Sequence, residues 1–317
     1  MGRYFVVRLY SMALTLGGLT LLVFLMLRLI PGTVVEQMIG ADAIASPAMV
    51  AELQRFFGLD RPWYVQYGSW LATLARGDLG TSWRTGKPVV QLIFERLPVT
   101  LELTALAVSF ALALGIPAGV VSAVRRDHAV DNVARVGTLL GLSVPVFWQG
   151  TMLILFFSLY LRWMPPVVWV DFLTDPRRNL TIMLLPALCL GTASAANIAS
   201  TTRACMLDVL RSEYIRTASA KGLAGAAVVL KHALKNALIP VVTVVGLQIG
   251  ILLGGTVVIE EVFTLPGVGR LVLWSIYQRD YPLTQSTILF VAAMFMTINL
   301  AVDLLYGYLD PRIRYSG

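Results

Sequence analysis

The feature that most constrains this chain is a set of six long apolar runs almost free of charge, at roughly residues 9–30, 98–124, 133–160, 180–204, 236–259 and 284–308. A helix needs about 20 apolar residues to cross the hydrocarbon layer of a bilayer, and each run is long enough. Within lipid the backbone has to satisfy its own hydrogen bonds, so each run is expected to be helical. Composition agrees: 57% of the 317 residues are hydrophobic and 14% are charged, against about 45–50% and 25% in a soluble domain. A chain of this length in water could not bury so much apolar surface, which excludes a cytosolic enzyme, a disordered protein or a coiled coil. The expected fold class is all-α, a polytopic membrane protein with six transmembrane helices. The first run follows Arg3 and Arg8, exceeds the 7–15-residue core of a signal peptide and precedes no small-x-small cleavage site, so it is read as a retained membrane helix.

Six spans put both termini on one side. That side receives Arg3, Arg8, Arg125, Arg126, Arg135, Arg312 and Arg314, together with Arg203, Arg211, Arg216, Lys221, Lys231 and Lys235 of the loop between the fourth and fifth runs. The short loops opposite carry Arg162, Arg177, Arg178, Arg270 and Arg279. Positive charge stays with the cytoplasm, so both termini and the 203–235 loop of this multi-pass protein are expected there. The net charge of +7 then records membrane orientation and gives no reason to invoke nucleic acid. The chain divides into an N-terminal tail and first span (1–30), an extracytoplasmic segment (31–97), a five-helix core (98–308) that includes the loop 205–235, and a cytoplasmic tail (309–317).

The outer segment reads as short amphipathic elements. Ser46-Pro47 and Asp60-Arg61-Pro62 resemble helix starts, and Gly58 and Gly77 helix stops. Trp63, Tyr64, Tyr67, Trp70 and Leu74 recur at helical spacing, as an aromatic face resting on the bilayer interface or the helix ends, or as a ligand box. Gly80-Thr81-Ser82-Trp83-Arg84-Thr85-Gly86-Lys87-Pro88 imitates a phosphate-binding loop. It has one residue too many between its glycines, and Pro88 replaces the hydroxyl that must reach magnesium. Two cysteines, Cys189 and Cys205, and two histidines, His128 and His232, offer no metal-ligand spacing. With no nucleophile elbow or Walker loop, no catalytic residue, metal or cofactor is expected in this chain.

The loop between the fourth and fifth runs is the most informative stretch. Arg211-Ser212-Glu213-Tyr214-Ile215-Arg216-Thr217-Ala218-Ser219-Ala220-Lys221-Gly222-Leu223 reads as a small-residue helix ending at a glycine. A second amphipathic helix and then Pro240, opening the next span, are expected after it. A short helix held between two spans is a rigid lever that another protein could grip, although the same charges also fit a solvated loop obeying the positive-inside rule.

This stretch resembles the EAA loop of ATP-binding-cassette importer permeases, in the variant typical of the peptide and nickel branch. Arg216, Thr217 and Ala218 fall on the three named positions, so Arg216 replaces the eponymous glutamate, and Gly222 is the family glycine. The resemblance continues through Leu27-Arg28-Leu29-Ile30-Pro31-Gly32, Phe57-Gly58-Leu59-Asp60-Arg61-Pro62, Leu97-Pro98-Val99-Thr100-Leu101-Glu102-Leu103, Ser143-Val144-Pro145-Val146-Phe147-Trp148, Phe263-Thr264-Leu265-Pro266-Gly267-Val268-Gly269-Arg270, Arg279-Asp280-Tyr281-Pro282 and Asp310-Pro311-Arg312. Thr33 departs from the acidic residue many relatives carry.

The resemblance implies a type I permease, the B-type membrane subunit of a dipeptide, oligopeptide or nickel importer. Its implied partners are a homologous second permease, two ATP-binding cassette subunits that bind ATP and magnesium, and an extracytoplasmic substrate-binding protein. Glu213, Arg216, Thr217, Ala218, Lys221 and Gly222 would couple to the ATPase. The fifth run carries Gly246, Gly250 and Gly254 at intervals of four, with Gln248 a short rotation away, and the fourth carries Gly191, Ser194, Asn197 and Thr201. Both stripes fit close helix packing in lipid; the family reading also puts them on the translocation path. Pro266, Gly267, Gly269, Arg270, Arg279 and Asp280 would form an outer loop or gate, with a short helix over Leu271 to Gln278, and the bland alternative is a tight connector. Arg28, Glu102 and Asp303 lie near span ends, where anchoring and substrate contact are both open. A self-sufficient secondary transporter or channel is the competing class. It is disfavoured by the lack of a buried carboxylate row or an inverted repeat. The substrate, whether peptide, glutathione or nickel chelate, is not legible here.

Overall fold

A computed structural model describes residues 2–32, 34–39, 46–166 and 168–309. Thr33, Arg312, Arg314 and the closing Asp310-Pro311-Arg312 string lie outside them. The described residues form helices α1 (Gly2–Leu29), α2 (Val34–Ile39), α3 (Pro47–Phe56), α4 (Trp63–Ala75), α5 (Val89–Val124), α6 (Ala129–Ser143), α7 (Val146–Tyr160), α8 (Pro176–Leu210), α9 (Glu213–Ala220), α10 (Gly225–Ala227), α11 (Leu234–Val262), α12 (Val268–Tyr277) and α13 (Tyr281–Leu309). Among them there is no strand, only an isolated bridge between Thr81 and Pro88. Among the described residues, five helical stretches are long and apolar enough to cross a membrane, and a sixth span arises if the bent pair α6 and α7 counts as one.

The run at 133–160 is bent. The two halves meet at 103°, across Val144, which is extended at φ −82°, ψ 122°, and Pro145, which leads into α7. A residue before proline is pushed out of the helical region, and proline brings no N–H to continue the ladder. Two other boundaries move. The second apolar helix begins at Val89, with Pro98 inside it, because Val89, Leu92 and Ile93 are buried against Leu271 and Leu283. The chain also passes from Gly225 through a π-helical segment, Val228–Ala233, directly into α11, so Pro240 stands inside a helix. Membrane helices tolerate such prolines because local π adjustments help re-satisfy the freed backbone groups.

The chain forms two compact units. In the first, built from the chain up to Pro98 with Gly267–Met294, Ser46 caps α3 by accepting from the Met49 N–H at 3.3 Å, with Pro47 in its first turn. The aromatic face of α4 packs on α1: Tyr67 meets the Phe24 ring edge-on at 5.0 Å, Trp70 stacks on it at 6.4 Å, and the Tyr67 and Thr20 hydroxyls are 3.0 Å apart. Trp63 and Tyr64 remain exposed.

The second unit comprises Val99–Pro266 and the chain from Phe295 onward. Its centre is α8, which buries Met183, Leu185, Leu190 and Ile198 among others. Leu103 of α5 and Leu252 and Ile259 of α11 join Met183 and Cys189 in one apolar cluster. Helix association in lipid depends on close packing and not on apolar burial from water. The α5–α8 crossing is correspondingly tight. A Cβ on Gly115 would lie 2.7 Å from the Ala195 carbonyl oxygen, and one on Gly119 would lie 2.6 Å from that of Ala199.

Candidate functional site

The loop between α8 and α11 presents a helix with one buried and one exposed face. Helix α9 begins after Ser212, which is extended, and Glu213 in its first turn suits the positive end of the helix dipole. It ends where Gly222 turns to φ +80° and donates to the Ser219 carbonyl at 3.0 Å, a conformation that favours glycine. Ile215, 4% exposed, anchors the helix among Met206, Val228 and Ala233. Ala218 also packs against this cluster, so its small size serves contacts within the chain. Tyr214 accepts at its hydroxyl from the Asn236 amide at 2.9 Å, tying α9 to α11.

The opposite face is open. Glu213 and Arg216 pair at 2.8 Å with side chains 83% and 72% exposed, and Thr217 donates to the Glu213 carbonyl. Lys221 and Gly222 are exposed as well. An exposed ion pair contributes only about 0–1 kcal/mol, so its partners can be exchanged for those of another surface at little cost.

The glycine stripe of α11 divides. A Cβ on Gly246 would collide with the Val302 side chain, and one on Gly250 would meet Asn299 Oδ1 at 2.8 Å and the Phe295 ring at 3.1 Å. Both therefore make room for α13. Gly254 has open space beside it, and Gln248 is buried. On α8, Gly191 sits against Phe110 and the Ala107 carbonyl, while Asn197 is half-buried.

The outer-loop residues fall around the two ends of α12. Pro266 is half-buried, Gly267 precedes the helix, and the buried Gly269 and half-buried Arg270 lie in its first turn, which starts at Val268 and not at the expected Leu271. Arg279, at φ 54°, donates to the Pro31 carbonyl at 2.7 Å. Asp280 is fully buried. Its carboxylate accepts from the Ser82 hydroxyl at 2.5 Å and from the backbone N–H groups of Trp83 and Arg84 at 3.2 Å and of Leu283 at 3.3 Å. The loop that imitates a phosphate-binding sequence is thus folded around a carboxylate of its own chain. Charge-assisted bonds of this kind are roughly twice as strong as neutral ones. Asp280→Ala is expected to free the 80–87 loop and to speed tryptic cleavage at Arg84 and Lys87 by about tenfold at unchanged global melting, since local opening by 1.4 kcal/mol suffices. Unchanged cleavage would remove the anchoring role.

Three polar contacts are invisible to the sequence patterns above. Arg203 donates two 2.8 Å bonds to Asp131, which also accepts from the Ser122 hydroxyl at 2.5 Å and the Asp127 N–H at 3.1 Å. Asp131 has no exposure, so two charges expected in loops form a buried pair joining α6 to α8. Thr100 donates to the buried Glu260 at 2.7 Å. The Asn179 amide donates to Glu102 at 3.1 Å and to the Val170 carbonyl at 2.9 Å. For Glu102 and Glu260 the detectable signal is position: charge in or beside an apolar run is costly and has to find a partner. No group of three or more metal-ligating side chains occurs among the described residues.

Comparison with known proteins covers nearly the whole chain. The family model for the binding-protein-dependent transport system inner membrane component matches residues 115–315, and the N-terminal model of the same transport-system membrane component matches residues 1–104. The dipeptide transport system permease protein DppB of Alkalihalophilus pseudofirmus is 43% identical, covering 97% of this chain and 98% of that protein. The glutathione transport system permease protein GsiC of Pectobacterium atrosepticum is 42% identical over 99% of both. In fold, the chain resembles a subunit of the MetNI methionine ABC transporter in an inward-facing conformation, at TM-score 0.57 and 17% identity, covering 70% of this chain and 97% of that one. The chain belongs to the family of binding-protein-dependent transport system inner membrane components, the permease subunits of ATP-binding-cassette importers.

Proposed function

We propose that this permease forms half of a translocation pathway for short peptides and couples it to cytoplasmic ATPases through α9. The substrate class rests on the relatives, whose names specify dipeptides, di- or tripeptides and glutathione, itself a tripeptide. The coupling reading is carried by one observation: an eight-residue helix, anchored by Ile215, that keeps Glu213, Arg216, Thr217, Lys221 and Gly222 available on its outer face. Both termini and α9 face the cytoplasm, as the basic residues favour. A homologous second permease, two ATP- and magnesium-binding subunits and an external binding protein complete the importer. The pathway runs beside α11, and the outer-loop residues about α12 meet the binding protein. ATP closure, transmitted through α9, opens the pathway outward, and hydrolysis resets it. This chain contributes no ATPase site.

Reversing both exposed cations tests the coupling. Arg216→Glu with Lys221→Glu should leave the permease folded and inserted, because neither side chain is buried. Peptide-stimulated ATPase activity of the reconstituted importer should fall by about tenfold or more, since like charges set against a complementary surface cost several kcal/mol. Full stimulation in this variant would sink the coupling role of α9. Peptide uptake into proteoliposomes lacking ATPase subunits would instead favour the secondary-transporter class.

A further inference from the structure

The first unit contains a cavity that none of the coupling or gating arguments uses. It has a volume of about 350 Å³ and opens beside the end of α1. Three arginines line it, Arg28, Arg55 and Arg61, and no aspartate or glutamate does. Among the described residues none of the three has a carboxylate partner. Arg28 donates to the Gln66 side chain at 2.5 Å and the Phe24 carbonyl at 3.1 Å, and its guanidinium lies 3.4 Å from the centroid of the Phe24 ring. It is therefore held in place without being neutralised.

The surroundings narrow the identity of that acceptor. Arg28 is in the last turn of a span that is apolar from Val6 to Leu29, so the cavity stands where an apolar helix reaches the bilayer boundary. Leu29 and Phe56, each 80% exposed, and Ile30 add apolar surface close by. A soluble anion needs no such collar. A phosphate that carries acyl chains uses it, with the chains on the apolar residues and the phosphate on the arginines.

We infer that this cavity binds the phosphate of an anionic phospholipid, with the guanidiniums of Arg28, Arg55 and Arg61 directed at the phosphate oxygens and the acyl chains lying along the exposed apolar residues. The site holds the outer segment to the membrane surface. With three guanidiniums and no carboxylate on the lining, anionic headgroups are preferred over zwitterionic ones.

The test uses the full chain in neutral detergent, titrated with phosphatidylglycerol, phosphatidylcholine or inorganic phosphate and followed by native mass spectrometry. Arg55 and Arg61 are exposed, so Arg55→Gln with Arg61→Gln should preserve the fold, checked by an unchanged melting temperature. The wild type should retain phosphatidylglycerol at least about tenfold more tightly than phosphatidylcholine, and the double variant should lose that preference. Equal binding of both lipids, equal affinity in wild type and variant, or full displacement of the lipid by equimolar inorganic phosphate would each overturn the assignment. So would a variant that keeps its lipid affinity but no longer binds the external substrate-binding protein, which would give the cavity to a protein carboxylate.

Discussion

Asp131→Ala is expected to remove most of the folded permease from the membrane fraction. The substitution deletes a carboxylate with no exposure and strands the Arg203 guanidinium, whose side chain is only 23% exposed, between helices. It also leaves the Ser122 hydroxyl and the Asp127 N–H without their acceptor. Removing one member of a buried pair costs about 3–5 kcal/mol, because the remaining charge is uncompensated. That is a large share of the about 5–15 kcal/mol by which a folded protein exceeds its unfolded state. The control is replacement of the pair together: Asp131→Leu with Arg203→Met exchanges it for apolar groups of similar size and should recover most of the loss. Extraction yield and melting of the detergent-solubilised chain measure both. A single variant as stable as wild type, or a double variant no better than the single, would show that the pair does not hold α6 to α8.

This pair marks the limit of what the sequence discloses. The apolar runs were legible because the bilayer sets a length that composition alone can meet, and Gly222 because a helix stop is a local event. Asp131 and Arg203 each stand in a basic-flanked boundary region where charge is ordinary, and only the fold reveals that they share one site. Pro145 was visible, but a hydropathy window averages across it and returns one run where the backbone makes two helices set at 103°. The start of α5 was missed for the opposite reason: Glu95 and Arg96 gave its first turns the look of a loop, although Val89, Leu92 and Ile93 already belong to a buried face. In the site, the helix α9 and its stop at Gly222 followed from a run of small residues that ends at a glycine. The role of Ala218 did not, since a small residue reads alike whether it faces its own chain or a partner. The same ambiguity hid the partners of the glycines.

Glycine positions give the second large effect, because neighbours and not spacing decide which of them a side chain would disturb. Gly246, Gly250 and Gly254 catch the eye in the sequence, yet Gly254 faces open space. The approach of backbone to backbone lies at Gly115 and Gly119 of α5, where a Cβ would sit 2.7 and 2.6 Å from backbone carbonyl oxygens of α8. At Gly119 the Thr202 Cβ is also only 2.6 Å away and the Arg203 N–H group 3.0 Å away. None of these atoms is the free end of a flexible side chain, so the helices themselves would have to separate. Gly119→Val is therefore expected to cost about 3 kcal/mol, the upper part of the range for overpacking, and to disturb Arg203 beside it. Gly137→Ala provides the contrast on α6, where nothing lies within 4 Å of the added Cβ. There the higher helix propensity of alanine should stabilise by about 0.5–1 kcal/mol. Melting of the two variants in the same detergent should move in opposite directions. Parallel shifts would mean that the α5–α8 crossing is looser than the glycine contacts require, and would take the close approach away as the reason for small residues on α5.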